Sequence, residues 1–560
     1  MYPKGTSFGR LRFTPTAEDI SDGESREEGK LASALIWDQN PNFENNFYFS
    51  FWDNFQDLKQ EGNGIMFKRI LIANRGEIAC RIMHTCREMG IETVAVYSEV
   101  DETAAHVLAA DRAVLLGAAD PAQSYLHQER ILAAAREAGA EAVHPGYGFL
   151  AENAGFAARC AEAGLTFIGP PPEAIRDLGD KTVARRLMQD SGVPVIPGQR
   201  RAEADPEKLA AAAEEIGYPV LIKAAAGGGG KGMRIVHAPA EFAAAAQAAA
   251  REAAAAFGNG AVYLEKYLPQ ARHVEFQVMA DGHGNCIHVL ERECSIQRRH
   301  QKIIEETPSP ALTPALRAEM GAAAVRAARA AGYVNAGTVE FLLDPQGRFY
   351  FLEVNTRLQV EHPITEMVTG IDLVREQIRI AAGLPLSYAQ EDIAARGHAI
   401  ECRIYAEDPQ NDFLPSAGTI HYLRTPQGPG VRVDAGIYAG CRVPMEYDPI
   451  LSKLVVQAED REAAIARARR ALAAYVILGV QTPIAFLRDV LDHAAFRAGE
   501  TFTDFIPHHL AAWRPPTPDA DAALAAFVAD ALTRTARPAA APGAADQPPT
   551  PWQTLGGWRA

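Results

Sequence analysis

Apolar and polar residues change rhythm sharply at position 67. RILIA (69–73) is a short apolar run, Asn74-Arg75-Gly76 turns the chain, and 77–89 carries a helical period that Gly90 stops. ETVAVYS (92–98) is a second β-rich run, so the segment predicts a βαβ unit. An alanine-rich helix at 127–138, Val143 leading into HPGYGFLAEN (144–153), and LTFIGP (165–170) continue it. YPVLIK (218–223), MRIVHA (233–238), VYLEKYL (262–268) and RHVEFQVM (272–279) predict strands. GTVEFLL (337–343) and RFYFLEVN (348–355) flank the turn residues Asp344-Pro345-Gln346-Gly347 and predict a β-hairpin. Strands with turns fill 399–480, closed by a helix at 461–475. The ends lack such a rhythm. Residues 1–65 mix acidic and Ser/Gly runs with an aromatic cluster at 43–55 and read as a disordered extension. Beyond Trp513 the chain is Pro/Ala-rich, with a helical patch at 519–533, a linker composition at 537–551 and a closing PWQTLGGWRA.

The class is therefore α/β, and 560 residues imply three or four domains. A hydrophobic content of 48% with 22% charged residues is that of a globular enzyme. No apolar run reaches the length of a membrane span. The net charge of −15 opposes a nucleic-acid coat, which needs a basic footprint. Seven scattered cysteines without a C-x-x-C pair predict reduced thiols rather than disulfides or zinc. The first 65 residues hold eleven Asp/Glu against six Lys/Arg, unlike a presequence, so the expected location is cytoplasmic.

Gly76 stands alone where a dinucleotide fold needs G-x-G-x-x-G, which argues against NAD. The four glycines 227–230, bracketed by Lys223 and Lys231, leave a backbone free to point N–H groups at phosphate; a flexible linker is the alternative. On 272–279, His273, Glu275 and Gln277 share one face. If residue 343 pairs with 348, Glu340 lies opposite Phe351 and diagonal to Glu353, roughly 7–8 Å away. Asn355 follows on that face, and two carboxylates with an amide oxygen suit Mg²⁺. The parity reaches Arg357, Gln359 and Glu361 if the chain stays extended; a solvated strand face is the alternative. ERECSIQRRHQK (291–302) is densely cationic, with Gln297, His300 and Lys302 suited to a terminal phosphate or small anion, unless it is a solvated basic loop.

Together with IANRGEIA, GDKTVAR, EVNTRLQVEHPITEM and ECRIYAEDP in order, these motifs resemble an ATP-grasp ligase, the biotin carboxylase component of biotin-dependent carboxylases, over about 67 to 505. The resemblance implies a Rossmann-like N-terminal domain (67–180), an ATP-grasp domain (181–398) with a glycine-loop lid at about 196–268, and an α+β C-terminal domain (399–507). A linker (508–549) and the stub of a joining domain (550–560) would follow. It places ATP on Lys181, Lys223, Gly229, Gly230, Glu265, Lys266, Leu268, His273, Gln297 and His300, with Leu342 against the adenine. It places Mg²⁺ or Mn²⁺, as two ions, on Glu340, Glu353 and Asn355. Bicarbonate falls on Lys302, Arg357, Gln359 and Val360, the general base on Glu361, the biotin enolate on Arg403, and biotin near Tyr147.

The implied reaction passes through carboxyphosphate to carboxybiotin. EYDPILSKL (446–454) and the C-terminal decapeptide resemble the α subunits of methylcrotonyl-, geranyl- and propionyl-CoA carboxylases. No Met-Lys-Met occurs and no lysine follows Lys453, so biotin is expected on a separate carrier. The implied partners are that carrier and a carboxyltransferase subunit, in a homodimer or larger assembly, with neither nucleic acid nor membrane. Another ATP-grasp ligase and an inactive scaffold are the competing readings.

Overall fold

The computed structural model describes residues 66–515, apart from 200–202, 204 and 225–232, together with Leu524 and Val528. The expectations for 1–65, for the glycine run including Gly229, Gly230 and Lys231, for nearly all of the 519–533 patch, for the 537–551 linker and for the C-terminal decapeptide lie outside the described residues.

The βαβ expectation is met at the start. Strands β1 (Arg69–Ile72), β2 (Glu92–Ser98), β3 (Arg112–Gly117), β4 (Ala142–His144) and β5 (Thr166–Phe167) form a parallel sheet in the order β3-β2-β1-β4-β5. The helix Gly76–Glu88 buries Ile78, Ile82, Met83 and Cys86, which recur at helical spacing on one face. Gly76 takes φ +64°, a conformation that side chains disfavour, and lets the chain turn from β1 into this helix. Gly436, far along the chain, lies so close to that first turn that a Cβ on it would meet the Glu77 nitrogen at 2.4 Å. The C-terminal region is thus seated on the N-terminal sheet domain.

Strands β6 (Val220–Ala224), β7 (Arg234–Val236) and β8 (Val262–Lys266) make a small antiparallel sheet in the order β7-β6-β8. The helices Pro206–Ile216 and Pro239–Phe257 back it, and Leu209, Val220, Ile222, Phe242 and Leu264 form its own core.

The central element is an eight-stranded antiparallel sheet. Its order is β13 (Phe349–Asn355), β12 (Asn335–Leu343), β9 (Arg272–Ala280), β10 (Cys286–Arg298), β11 (Gln301–Thr307), β14 (His398–Tyr405), then Ile450–Ala458 and Val431–Ala435. The sheet runs unbroken from β11 to β14, across residue 398. On β9 the apolar Val274, Phe276 and Val278 enter a core with Val339 and Phe341, while His273, Glu275 and Gln277 face the other way as expected. The 291–302 segment is no loop: it is the end of β10 and the start of β11, joined at Arg299-His300 with φ of 51° and 66°. Positive φ at both central residues matches the right-handed twist of the flanking strands.

The hairpin register differs from the expected one. Leu343 pairs with Phe349, not Arg348, and a bulge at Leu352 shifts the ladder so that Glu340 lies directly opposite Glu353 rather than opposite Phe351. Phe351 instead joins Phe341 in the core, and its N–H donates outward to Pro194 O at 2.7 Å. An extra residue in one strand reverses side-chain parity beyond it. The bulge therefore buries Phe351 and returns Glu353 to the face of Glu340.

All seven cysteines are unpaired and six are buried, where burial pushes the thiols up. Among the described residues no helix is long and apolar enough to cross a membrane.

Candidate active site

A cleft of about 1730 Å³ opens between the β6–β8 sheet and the central sheet. Lys181, Lys223, Glu265, Lys266 and Leu268 line it on one side, and His273, Gln297, His300, Lys302, Glu340, Leu342, Glu353, Asn355, Arg357, Gln359, Val360 and Arg403 on the other. Glu361 is fully buried just behind this wall, and Tyr147 lies outside it in the N-terminal domain.

The end of the cleft nearer the β6–β8 sheet is built on ion pairs. Glu265 is bound by Arg185 Nη1 at 2.9 Å and by the Lys223 ammonium. Lys266 is turned aside, donating to the carbonyls of Gly217 and Tyr218 at 2.8 and 2.9 Å. Lys181 opens the helix Lys181–Asp190, whose N-terminus Asp180 caps through Thr182 and Val183 N–H. His300 is exposed at the tip of the β10–β11 turn, on the rim.

At the other end the wall is a charge lattice around one ammonium. Lys302 Nζ donates to Glu275 Oε2 at 2.5 Å, Glu361 Oε1 at 2.6 Å and Glu340 Oε1 at 2.8 Å. Burial alone would lower the Lys302 pKa, but these three carboxylates hold it well above its ordinary value. Glu361 also accepts from Arg403 Nη2 at 2.9 Å, while Arg403 Nε donates to Glu305 at 2.6 Å. Burial would raise the Glu361 carboxyl, yet Lys302, Arg403 and Arg292 hold it well below the usual carboxylate range. The fully buried Arg292 binds Glu275 at 2.6 Å, Gln277 at 2.9 Å and Thr365 at 3.0 Å.

The chain does not stay extended beyond Asn355, contrary to the expectation. β13 ends there, 356–361 is a loop, and Glu361 stands at the N-cap of the helix His362–Thr369. The loop still converges on the acids: Asn355 Nδ2 and Gln359 Nε2 donate to Glu340 Oε1 at 2.7 and 3.1 Å. Arg357 spans Gln359 Oε1 at 3.1 Å and Asn355 Oδ1 at 3.2 Å. A turn with specific hydrogen bonds, not strand parity, gathers these residues.

Glu340, Glu353 and the Asn355 amide fit a hard divalent cation. Burial and the opposed Glu340 push the Glu353 carboxyl up, and no hydrogen bond reaches it among the described residues. Burial alone would also raise Glu340, but Lys302 and His273 Nε2, 3.1 Å away, hold it low. An oxygen-ligated cation would relieve the opposed charges of the acid pair. Two denser clusters, His273–Glu275–Glu340 and Glu275–Cys294–Glu361, have Lys302 bound to their carboxylates.

Sequence reading missed Arg185, Arg292, Glu305, Glu77 and Lys453 as site supports. Arg185 closes the GDKTVAR segment, and Lys453 is the one charge in the apolar strand ILSKLVVQA. A lysine inside a buried strand calls for a partner.

A small antiparallel sheet facing a long one across an acid- and cation-lined cleft defines an ATP-grasp enzyme. Residues 66–175 match the biotin carboxylase N-terminal domain, 180–389 the carbamoyl-phosphate synthase L chain ATP-binding domain, and 401–508 the biotin carboxylase C-terminal domain. A pyruvate carboxylase subunit of Methanothermobacter thermautotrophicus is 55% identical over 444 residues, 79% of this chain and 90% of that one. Biotin carboxylase of Nostoc sp. is 53% identical, over 79% of this chain and 98% of that one. The mitochondrial methylcrotonoyl-CoA carboxylase α subunit of Oryza sativa subsp. japonica is also 53% identical, but the match spans only 60% of its length. The biotin carboxylase domain dimer of Hydrogenobacter thermophilus 2-oxoglutarate carboxylase, solved with MgADP, ADP and bicarbonate, superposes with a TM-score of 0.77 at 50% identity, over 80% of this chain and 98% of that one. The chain belongs to the biotin carboxylases, ATP- and bicarbonate-dependent ligases that serve biotin-dependent carboxylases.

Proposed function

We propose that this chain carries out the first half-reaction of its carboxylase on biotin borne by a carrier protein or domain. The observation that carries the assignment of roles is the Glu361 carboxylate, held between Lys302 at 2.6 Å and Arg403 at 2.9 Å. One buried base thus touches both the cation suited to bicarbonate and the cation suited to an enolate.

In this reading Lys302, Arg357, Gln359 and the Val360 backbone bind bicarbonate. Lys181, Lys223, Glu265, Lys266, Leu268, His273, Gln297, His300, Leu342 and the glycine run including Gly229 and Gly230 take ATP. The base is ionised at neutral pH because its neighbours depress its pKa. Glu361 accepts the bicarbonate proton, and the oxyanion attacks the γ-phosphorus as the bond to ADP breaks, giving carboxyphosphate. Two Mg²⁺ or Mn²⁺ ions held by Glu340, Glu353 and Asn355 would supply neutralisation of phosphate charge. Carboxyphosphate separates into CO₂ and phosphate, the phosphate takes the ureido N1′ proton, and the enolate beside Arg403 attacks CO₂ to form the N–C bond. Aligned cations in a closed cleft stabilise each anion and keep water from the intermediate. Tyr147 would flank the biotin, fixed by the hydroxyl it donates to Glu77 Oε1.

The partners in this reading are a biotin carrier and a carboxyltransferase subunit, around a homodimer of this chain. The segment 446–454 favours an acyl-CoA acceptor. Relatives named for pyruvate and for methylcrotonoyl-CoA are 55% and 53% identical, so the carboxyltransferase decides the acceptor. The purified chain is expected to release ADP only with both bicarbonate and free biotin, and to stay unbiotinylated on a streptavidin blot after co-expression with a biotin ligase. Labelled bicarbonate should reach acyl-CoA only when carrier and carboxyltransferase are added. A biotinylated band at this size, or acyl-CoA labelling without partners, would overturn the proposal.

A further inference from the structure

Lys453 lies on the strand Ile450–Ala458, next to Arg403 across β14 and next to Asp434 on its other side. Its side chain is completely buried. Nζ donates to the carbonyl of Val360 at 3.0 Å and forms an ion pair with Glu77 Oε2 at 3.1 Å; Asp434 Oδ2 is at 3.9 Å. Glu77, also fully buried, belongs to the first turn of the helix Gly76–Glu88 in the N-terminal domain. One ammonium therefore joins three separate parts of the chain.

We propose that Lys453 is a positioning residue for the bicarbonate loop, anchored on the N-terminal domain by Glu77. The Val360 carbonyl belongs to the peptide that links it to Glu361, with Gln359 one residue before. Loop 356–361 has no ladder partner to fix the tilt of that peptide. Its neighbouring carbonyl, Gln359 O, is held at 2.8 Å by Nδ1 of His362. That tether comes from the adjoining helix turn and moves with it. The Lys453 tether comes from another sheet element and does not.

Taking an ammonium and a carboxylate out of water costs more than a neutral donor would, and such pairs seldom add net stability. What the pair supplies is a long, stiffly placed donor. Rotation of the Val360 peptide would swing Gln359 away from Glu340 and Glu361 away from Lys302, and small misplacements are expensive in rate. Tyr147 also donates to Glu77, so the same carboxylate joins the residue proposed to flank biotin to the loop proposed to bind bicarbonate.

This inference rests on the assignment of bicarbonate and base to that loop, and the experiment separates the two. Glu77→Gln, Lys453→Met and the double variant are compared with wild type in melting temperature, in turnover with free biotin, and in KM for bicarbonate and for ATP. Removing one charge strands the other, so each single variant should melt lower, and the double variant should recover most of that loss. Its turnover should nonetheless stay at least about 10-fold down, with KM for bicarbonate raised and KM for ATP within about 2-fold. Wild-type kinetics in the double variant, or activity and melting temperature that fall in step across the three, would overturn the proposal. Retained activity in Glu361→Gln would instead overturn the loop assignment beneath it.

Discussion

Glu340 and Glu353 face each other directly across the β12–β13 hairpin because Leu352 bulges out of the ladder. Two opposed carboxylates, Glu340 buried and Glu353 half-buried, repel, and the raised Glu353 pKa records loss of water first and that repulsion second. Such a pair costs stability until a cation lies between its members.

Glu353→Gln should therefore raise the Mg²⁺ concentration needed for half-maximal activity at least about 10-fold. Without metal and nucleotide the variant should melt no lower than wild type, since a repulsion has been removed. A Mg²⁺ titration of ADP release with parallel thermal melts checks both. An unchanged Mg²⁺ requirement would remove Glu353 from the metal set.

Glu361→Gln should bind ATP nearly as wild type and lose biotin-dependent turnover by roughly 10²–10⁴-fold. The amide can still meet Arg403 or Lys302 but cannot accept a proton. Nucleotide binding by calorimetry and steady-state ADP release separate the two effects. Activity above a third of wild type would dismiss the base.

Arg403→Ala should uncouple the halves of the reaction. Bicarbonate-dependent ATP hydrolysis without biotin should persist, while carboxybiotin formation falls roughly 10²-fold. The measurement is labelled carboxybiotin per ADP released. Parallel loss of both products would place Arg403 in the first half-reaction as well.

Glu293 gives a pH prediction away from the chemistry. Burial pushes its carboxyl up to about 7, against weaker opposing effects from Arg272 and the hydroxyls of Ser295 and Ser309. The folded protein keeps this proton where the unfolded chain has lost it, so the contribution to stability falls as pH rises from about 4.5 to 7 and is constant above. The gap corresponds to about 3 kcal/mol. Glu293→Gln mimics the protonated form, so its melting temperature relative to wild type should climb by a few degrees between pH 5 and pH 8. A difference independent of pH would show that Glu293 titrates normally.

Much of the fold was legible because hydrophobic period is a local property. RILIA, the helix after Gly76 and ETVAVYS read as β1, helix and β2, and 272–279 read correctly as a strand with His273, Glu275 and Gln277 together. The hairpin strands were legible, but their register was not. Turn residues predicted a four-residue connection, whereas the packing of Phe351 on Phe341 and its bond to Pro194 O accompany the Leu352 bulge. That decision involves residues some 150 positions apart in sequence, beyond any local pattern.

The site shows the same division. The chain's motifs, in their order, were enough to identify the family and to nominate Lys302, Glu340, Glu353 and Glu361, because the chemistry of an anion and metal site constrains residue types. How those residues meet was decided elsewhere. Glu361 reaches Lys302 through a turn and a helix N-cap, not along a strand, and Arg403 reaches Glu361 because β14 lies beside β11 in one sheet. Arg292 is one cation of a dense basic segment and Lys453 the one charge of an apolar strand until folding buries them, when each has to find its carboxylates. Residue identity sets which charges exist; only the three-dimensional path sets which of them lose water together, and buried charge is stable only when paired.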